Sequence, residues 1–186
     1  MVKASKLSAP RITVRTRRAY FDCKFGQLHV RTAFPTTGGF DEQVTLFCLH
    51  PMDASSRAFS GILSELADVR SVYAPDLPGY GESDSSPARS IADAASAISD
   101  LANDLRLSQI DLLGIRYGAE VALELAAGRP ELVRRLVLAG VPNAERLASV
   151  KQQRLMISAG DYSGDPIDAA PSGLANKISA FLRGRS

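Results

Sequence analysis

Arg116 stands at the centre of Leu112-Leu113-Gly114-Ile115-Arg116-Tyr117-Gly118, with a glycine two residues away on either side. That spacing suits a tight turn from strand to helix. The central residue sits on a strained backbone, and a Cβ two positions away would clash, so glycine is favoured at Gly114 and Gly118. The side chain at the apex is a guanidinium, which stays protonated and cannot attack a carbonyl. Chemistry that starts from a nucleophile has no starting atom here. A cation at the start of a helix can instead hold an anion, because free N–H groups and the helix dipole already favour negative charge there.

A second chemistry is offered by His50, followed by Pro51, Met52, Ser55 and Ser56. An imidazole beside hydroxyls can act as general base on water or on a serine. The remaining polar residues read as structural. Asp76, Ser83 and Asp84 lie in a loop whose Gly79 and Gly81 supply unusual backbone angles, so turn geometry accounts for them. His29 alternates with Leu28 and Val30 and is expected to face solvent or a neighbouring strand. Cys23 and Cys48 fall in apolar, strand-like stretches without zinc or redox spacing, which predicts buried free thiols and a reducing compartment. With no ligand cluster and no phosphate-cradling glycine motif, neither a cofactor nor a metal is expected.

The elements that must position these residues follow from periodicity. Arg18 to Phe25 and Gln27 to Phe34 alternate as two strands around Gly26. Gln43 to Leu49 is a near-continuous apolar run, as in a strand buried on both faces. Phe59, Ile62, Leu63 and Leu66 then follow helical spacing and predict an amphipathic helix from Ser56 to Asp68. Ser71 to Ala74 predicts a short strand, and Ser90 with Asp93 a capping box opening a helix that runs to about Leu105. Strands at Ile110 to Leu113 and Arg135 to Ala139 flank a small-residue helix from Arg116 to Ala127. Beyond them, Ala144 to Gln153 reads as helical, Leu155 to Ser158 as a strand and Leu174 to Leu182 as a closing helix. Alternating strands and helices imply a doubly wound, mostly parallel α/β sheet, with ligands beyond the carboxyl ends of its strands.

Composition sets the outer limits. The chain has 186 residues, 45% of them hydrophobic and 23% charged, with a net charge of +2. This length suits one domain, here 18–186, able to bury roughly 70% of its unfolded surface. The balance argues against a dedicated nucleic-acid binder. Residues 1–17 carry Lys3, Lys6, Arg11, Arg15 and Arg17 without an acid and read as a loose basic tail. No apolar run approaches the roughly 18 to 20 residues of a membrane span, and a cytoplasmic protein without membrane or nucleic-acid partners is expected.

Four stretches, in order, resemble the α/β-hydrolase superfamily. Gly114-Ile115-Arg116-Tyr117-Gly118 is similar to its nucleophile elbow, G-x-S-x-G. His50-Pro51 with Ser55 and Ser56 resembles its oxyanion loop, Asp76 to Ser83 its D-x-x-G-x-G-x-S stretch, and Arg129 to Val141 the approach to its sixth strand. The resemblance covers about residues 18 to 142. It implies backbone oxyanion donors at Met52 and Tyr117, and a pocket lined by His50, Met52, Arg116 and Tyr117. It also implies a structural role for His50 on its loop.

Departures from the pattern govern the expected function. Arg116 replaces the nucleophile, and no histidine follows position 50 to serve as base. Asp161 or Asp165 would be a remnant of the acid, but a carboxylate without its imidazole orients nothing. There is room for about one helix where a cap is often inserted, and no clear eighth strand, so a shortened C-terminal side or a disrupted reading frame is implied. The expectations are therefore a protein inactive as a serine hydrolase, with Arg116 either solvent-facing or paired with a carboxylate, or else binding a small anion or carboxylate. A non-standard esterase using His50, and a homodimer or paralogue complex through an exposed Leu155 to Ser158 edge, are the other readings.

Overall fold

Alternating side chains make β1 (Val14–Cys23) and β2 (Gly26–Pro35) an antiparallel hairpin closed by Lys24 and Phe25. The computed structural model describes residues 13–36, 44–88, 90–140, 147, 155–158 and 174–184, and of 155–158 and 174 the backbone only. β1 begins four residues before the expected domain boundary, because the alternation already present at Val14 continues into the sheet. β3 (Thr45–Leu49), β4 (Val72–Pro75), β5 (Ile110–Ile115), β6 (Val133–Ala139) and β7 (Leu155–Ser158) complete a sheet ordered β1-β2-β4-β3-β5-β6-β7. Its pairings are parallel from β4 through β7, and β2 runs against its neighbours.

The strands are apolar on both faces because both are covered. Phe47, Leu49, Ile110, Leu112, Leu136 and Leu138 pack with α2 (Ile91–Asp104) and α3 (Tyr117–Gly128). Their neighbours Leu46, Cys48, Leu113, Ile115, Val137 and Ala139 pack against α1 (Leu63–Leu66) and α4 (Leu174–Leu182) on the opposite face. The architecture is thus the expected doubly wound, mostly parallel α/β sheet. Ser90 caps α2 as the sequence predicts: its side chain accepts the Asp93 N–H at 3.0 Å, while Asp93 accepts the Ser90 N–H at 3.2 Å.

One predicted helix is broken. In place of a continuous helix over 56–68 there is a 3-10 turn, Ser56–Phe59, followed by the single-turn α1. Ser60 and Gly61 lie at the break, and glycine in a helix interior costs about 1 kcal/mol. The apolar stripe survives, since Phe59, Ile62, Leu63 and Leu66 are all buried. Cys48 is a buried free thiol and Cys23 a partly buried one. Residues 1–12 lie outside the described residues. So do 141–154 apart from Leu147 and all of 159–173, the segments on which the expected helix at 144–153 and the expectations about a cap and an eighth strand fall. Among the described residues, no helix is long and apolar enough to cross a membrane.

At the amino end of the parallel strands, a carboxylate is fully enclosed. Asp111 follows Ile110 in β5 and is 0% exposed. Arg70 donates to its Oδ2 at 3.0 Å, and Arg134 donates to both oxygens, at 2.9 and 2.6 Å. Arg134 also donates to the Leu182 carbonyl at 2.9 Å, and Arg135 to that of Phe181, so two arginines of β6 hold the end of α4. Removing one partner of such a buried pair leaves charge without compensation. Asp111→Ala should lower unfolding free energy by about 3 to 5 kcal/mol, read as a shift of the urea midpoint. An unchanged midpoint would show that the cluster is solvated.

Candidate functional site

The turn after β5 positions Arg116. Its φ is 50° and its ψ −108°, a conformation that costs a residue other than glycine on the order of 1 to 3 kcal/mol. Flanking hydrogen bonds impose it. The Arg116 N–H donates to the Ala139 carbonyl on β6 at 2.8 Å, and the Arg116 carbonyl accepts from Ala119 and Glu120 at 3.0 and 3.2 Å in the first turn of α3. The side chain itself is exposed. Both glycines are required by contact: a Cβ on Gly118 would lie 2.1 Å from the Leu49 carbonyl oxygen, and one on Gly114 2.5 Å from that of Gly118.

His50 directly follows β3 and is completely buried. Its Nδ1 lies 2.7 Å from the Pro51 carbonyl, and its Nε2 accepts the Leu77 N–H at 2.9 Å. Those partners define a neutral ring protonated on Nδ1. Burial pushes its pKa down, against smaller opposing effects of the Pro51 carbonyl and Asp76. Both nitrogens are engaged with backbone, so the ring ties the end of β3 to the loop after β4. Ser55 caps the 3-10 turn by accepting the Arg57 N–H at 3.3 Å, and the Ser56 N–H donates to Asp76 Oδ1 at 2.5 Å.

Tyr80 connects the parts. Its ring packs edge-on against His50, with centroids 5.5 Å apart, and tilts against Tyr117 at 6.1 Å. His50, Tyr80 and Tyr117 thereby form one cluster of rings at the carboxyl ends of β3 and β5, with Arg116 preceding Tyr117 in the chain. Met52 lies on the turn after β3 and is 54% exposed. Asp161 and Asp165 lie outside the described residues. Tyr80 was absent from the sequence-derived pocket. An aromatic residue between Gly79 and Gly81, in a loop following a parallel strand, was the available signal.

His29 takes the second of its two expected settings. It faces Tyr20 of the neighbouring strand, with ring centroids 5.4 Å apart, and it is 1% exposed instead of solvent-facing. Its Nδ1 lies 2.9 Å from Asp76 Oδ2, because the loop of residues 76–84 folds over this face of β2. The Glu82 N–H donates to the same carboxylate at 2.8 Å. Ser83 Oγ donates to the Asp76 carbonyl at 2.7 Å and accepts the His29 N–H at 2.9 Å, and Asp84 accepts the Gln27 N–H at 2.8 Å. Burial pushes the Asp76 carboxyl up, but hydrogen bonds from Glu82, Ser56 and His29 outweigh it and hold the group below its usual range. The acids and hydroxyl of this loop are thus engaged in building it.

A doubly wound sheet with a strained, glycine-flanked turn after its central strand defines the α/β-hydrolase class. Residues 44–184 match the family model described as alpha/beta hydrolase fold, and the chain belongs to that family. An uncharacterized protein of Mycobacterium tuberculosis is 34% identical over 94 residues, covering 50% of this chain and 28% of that protein. The 2-hydroxymuconate semialdehyde hydrolase of Pseudomonas sp. strain CF600 is 42% identical over 84 residues, covering 42% of this chain and 29% of the enzyme. Among solved structures, Cfl2 from Burkholderia cenocepacia superposes with a TM-score of 0.61 at 30% identity, covering 72% of this chain and 45% of that one. The chain therefore spans less than a third of these curated relatives and under half of this structural neighbour.

Gly118→Ala tests whether the backbone contact under the elbow carries stability. The added methyl should cost about 1 to 3 kcal/mol and depress the melting temperature. A variant that melts with the wild type would show that α3 is free to withdraw from β3.

Proposed function

We propose that this chain keeps the elbow of its family without acyl-transfer chemistry, and that the elbow holds a small carboxylate or phosphate. The exposed guanidinium of Arg116, at the apex of the turn between β5 and α3, carries this reading. A permanently charged group there cannot form an acyl intermediate. It can give charge-assisted, bidentate hydrogen bonds to an oxyanion, with the helix dipole adding to the attraction. Tyr80, Tyr117 and the uncharged His50 supply a wall beside it, and the backbone donors proposed at Met52 and Tyr117 do not depend on the nucleophile's identity. The reading with His50 as general base has less support, because both ring nitrogens already hold backbone partners.

A fluorophosphonate probe should leave the elbow unlabelled, and p-nitrophenyl acetate should be cleaved no faster than in buffer. Arg116→Ser should not restore turnover, because no free imidazole stands ready to activate the new hydroxyl. Steady ester cleavage with a trapped acyl-enzyme would overturn the reading. Acetate and inorganic phosphate should each bind in calorimetry, with Arg116→Ala weakening binding roughly tenfold or more, the loss expected for a charged hydrogen bond. Equal binding by the variant, or no binding by the wild type, would remove the anion site.

A further inference from the structure

His29 is almost fully enclosed, yet its Nε2 has no hydrogen-bond partner and stands 3.8 Å from Glu82 Oε2. The other nitrogen serves Asp76. A neutral ring that gives its one N–H to Asp76 leaves a buried lone pair facing a second carboxylate, which is an unfavourable contact. A second proton reverses it: Nε2–H then points at Glu82, and one imidazolium joins two carboxylates. We propose that His29 is the proton-binding element of a clasp, drawing the loop of residues 76–84 onto β2 when its ring is doubly protonated and so fixing Tyr80 against the elbow.

The path from ring to pocket is short and hydrogen-bonded. The Asp76 N–H donates to the His29 carbonyl at 2.8 Å, and Ser83 bonds both residues. The adjacent Leu77 N–H donates to His50, against which Tyr80 packs. Closing the Glu82 arm therefore tightens a segment already anchored at both ends, with Tyr80 between the anchors.

The charges facing the ring come from every element around it. Asp76 and Glu82, from the loop, favour the second proton. Arg18 on β1 lies 3.9 Å from Glu82, and Arg57 on the 3-10 turn 3.0 Å, and both oppose it. Arg31, two residues along β2, opposes it too. Tyr20 on β1 contributes its ring face. The side chains of Arg18 and Arg57 are 60% and 67% exposed, so solvent screens them, whereas the His29–Asp76 contact is enclosed. Asp76 and Glu82 are both held below the usual carboxylate range, Glu82 chiefly by its hydrogen bond from Arg57. Both therefore stay charged in mildly acidic solution.

The chain contains two histidines, and His50, locked as a singly protonated ring, serves as the reference. The test is ring 15N–1H correlation spectroscopy of the labelled full chain from about pH 8 to pH 5, with amide exchange protection at Glu82, Ser83 and Asp84 followed in parallel. His29 should gain its second ring proton as the pH falls, and protection should rise about two- to fivefold in step, the size expected of a partly exposed ion pair. Glu82→Gln, at a partly exposed position, should keep the ring titration and lose the step in protection. Arg57→Gln, which removes another partner of Glu82, should keep both. A His29 ring singly protonated throughout, a titration without change in protection, or a step that survives Glu82→Gln would each overturn the proposal.

Discussion

Backbone meets backbone where β5 turns into α3, and the rest of the carboxyl end is arranged around that contact. The Leu49 carbonyl, at the end of β3, occupies the space a Cβ on Gly118 would need. This approach draws the first turn of α3 against the central strand and lifts the residue between β5 and α3 onto a strained apex. It also brings the end of β3, with His50, beside the start of α3, with Tyr117. An apex built this way presents whatever side chain it carries. The scaffold accepts a guanidinium at its apex because the cost of the turn is met by packing beneath it, while the side chain above is exposed.

The polar network around Asp76 is the second organising element. One carboxylate collects hydrogen bonds from Ser56, Glu82 and His29, joining the 3-10 turn, the loop after β4 and the strand β2. A buried charge is tolerable when its acceptor positions are filled in this way. The network explains why serines and acids that invite a search for a catalytic triad are spent on architecture. The loop they build then delivers Tyr80 to the rings of His50 and Tyr117.

Much of this was legible in the sequence, for identifiable reasons. Gly114 and Gly118 betray the elbow because their spacing records a steric requirement that no other residue meets. The strands betray themselves by being apolar on both faces, and α2 by Ser90 and Asp93. Alternation in β2 assigns His29 to a face but cannot say what covers that face, since the covering loop lies nearly fifty residues away and is made of turn residues. Helical spacing over 56–68 gives the buried stripe correctly and misses the break, because 3-10 and α geometry place residues three apart on nearly the same side. Asp111 inside an apolar strand was a visible anomaly. Its partners Arg70 and Arg134 come from elsewhere in the chain and carry no local pattern.

The arginine cluster around Asp111 lies at the opposite end of β5 from the elbow. Five residues of extended chain separate Asp111 from Arg116, a span of about 17 Å at the usual rise of a strand. Groups that far apart contribute to folding free energy nearly independently. The molecule is thus divided thermodynamically: one pole supplies the anchorage of α4, the other presents Arg116. The side chain at the elbow can be exchanged without drawing on the anchorage, which gives the scaffold room to change what it recognises.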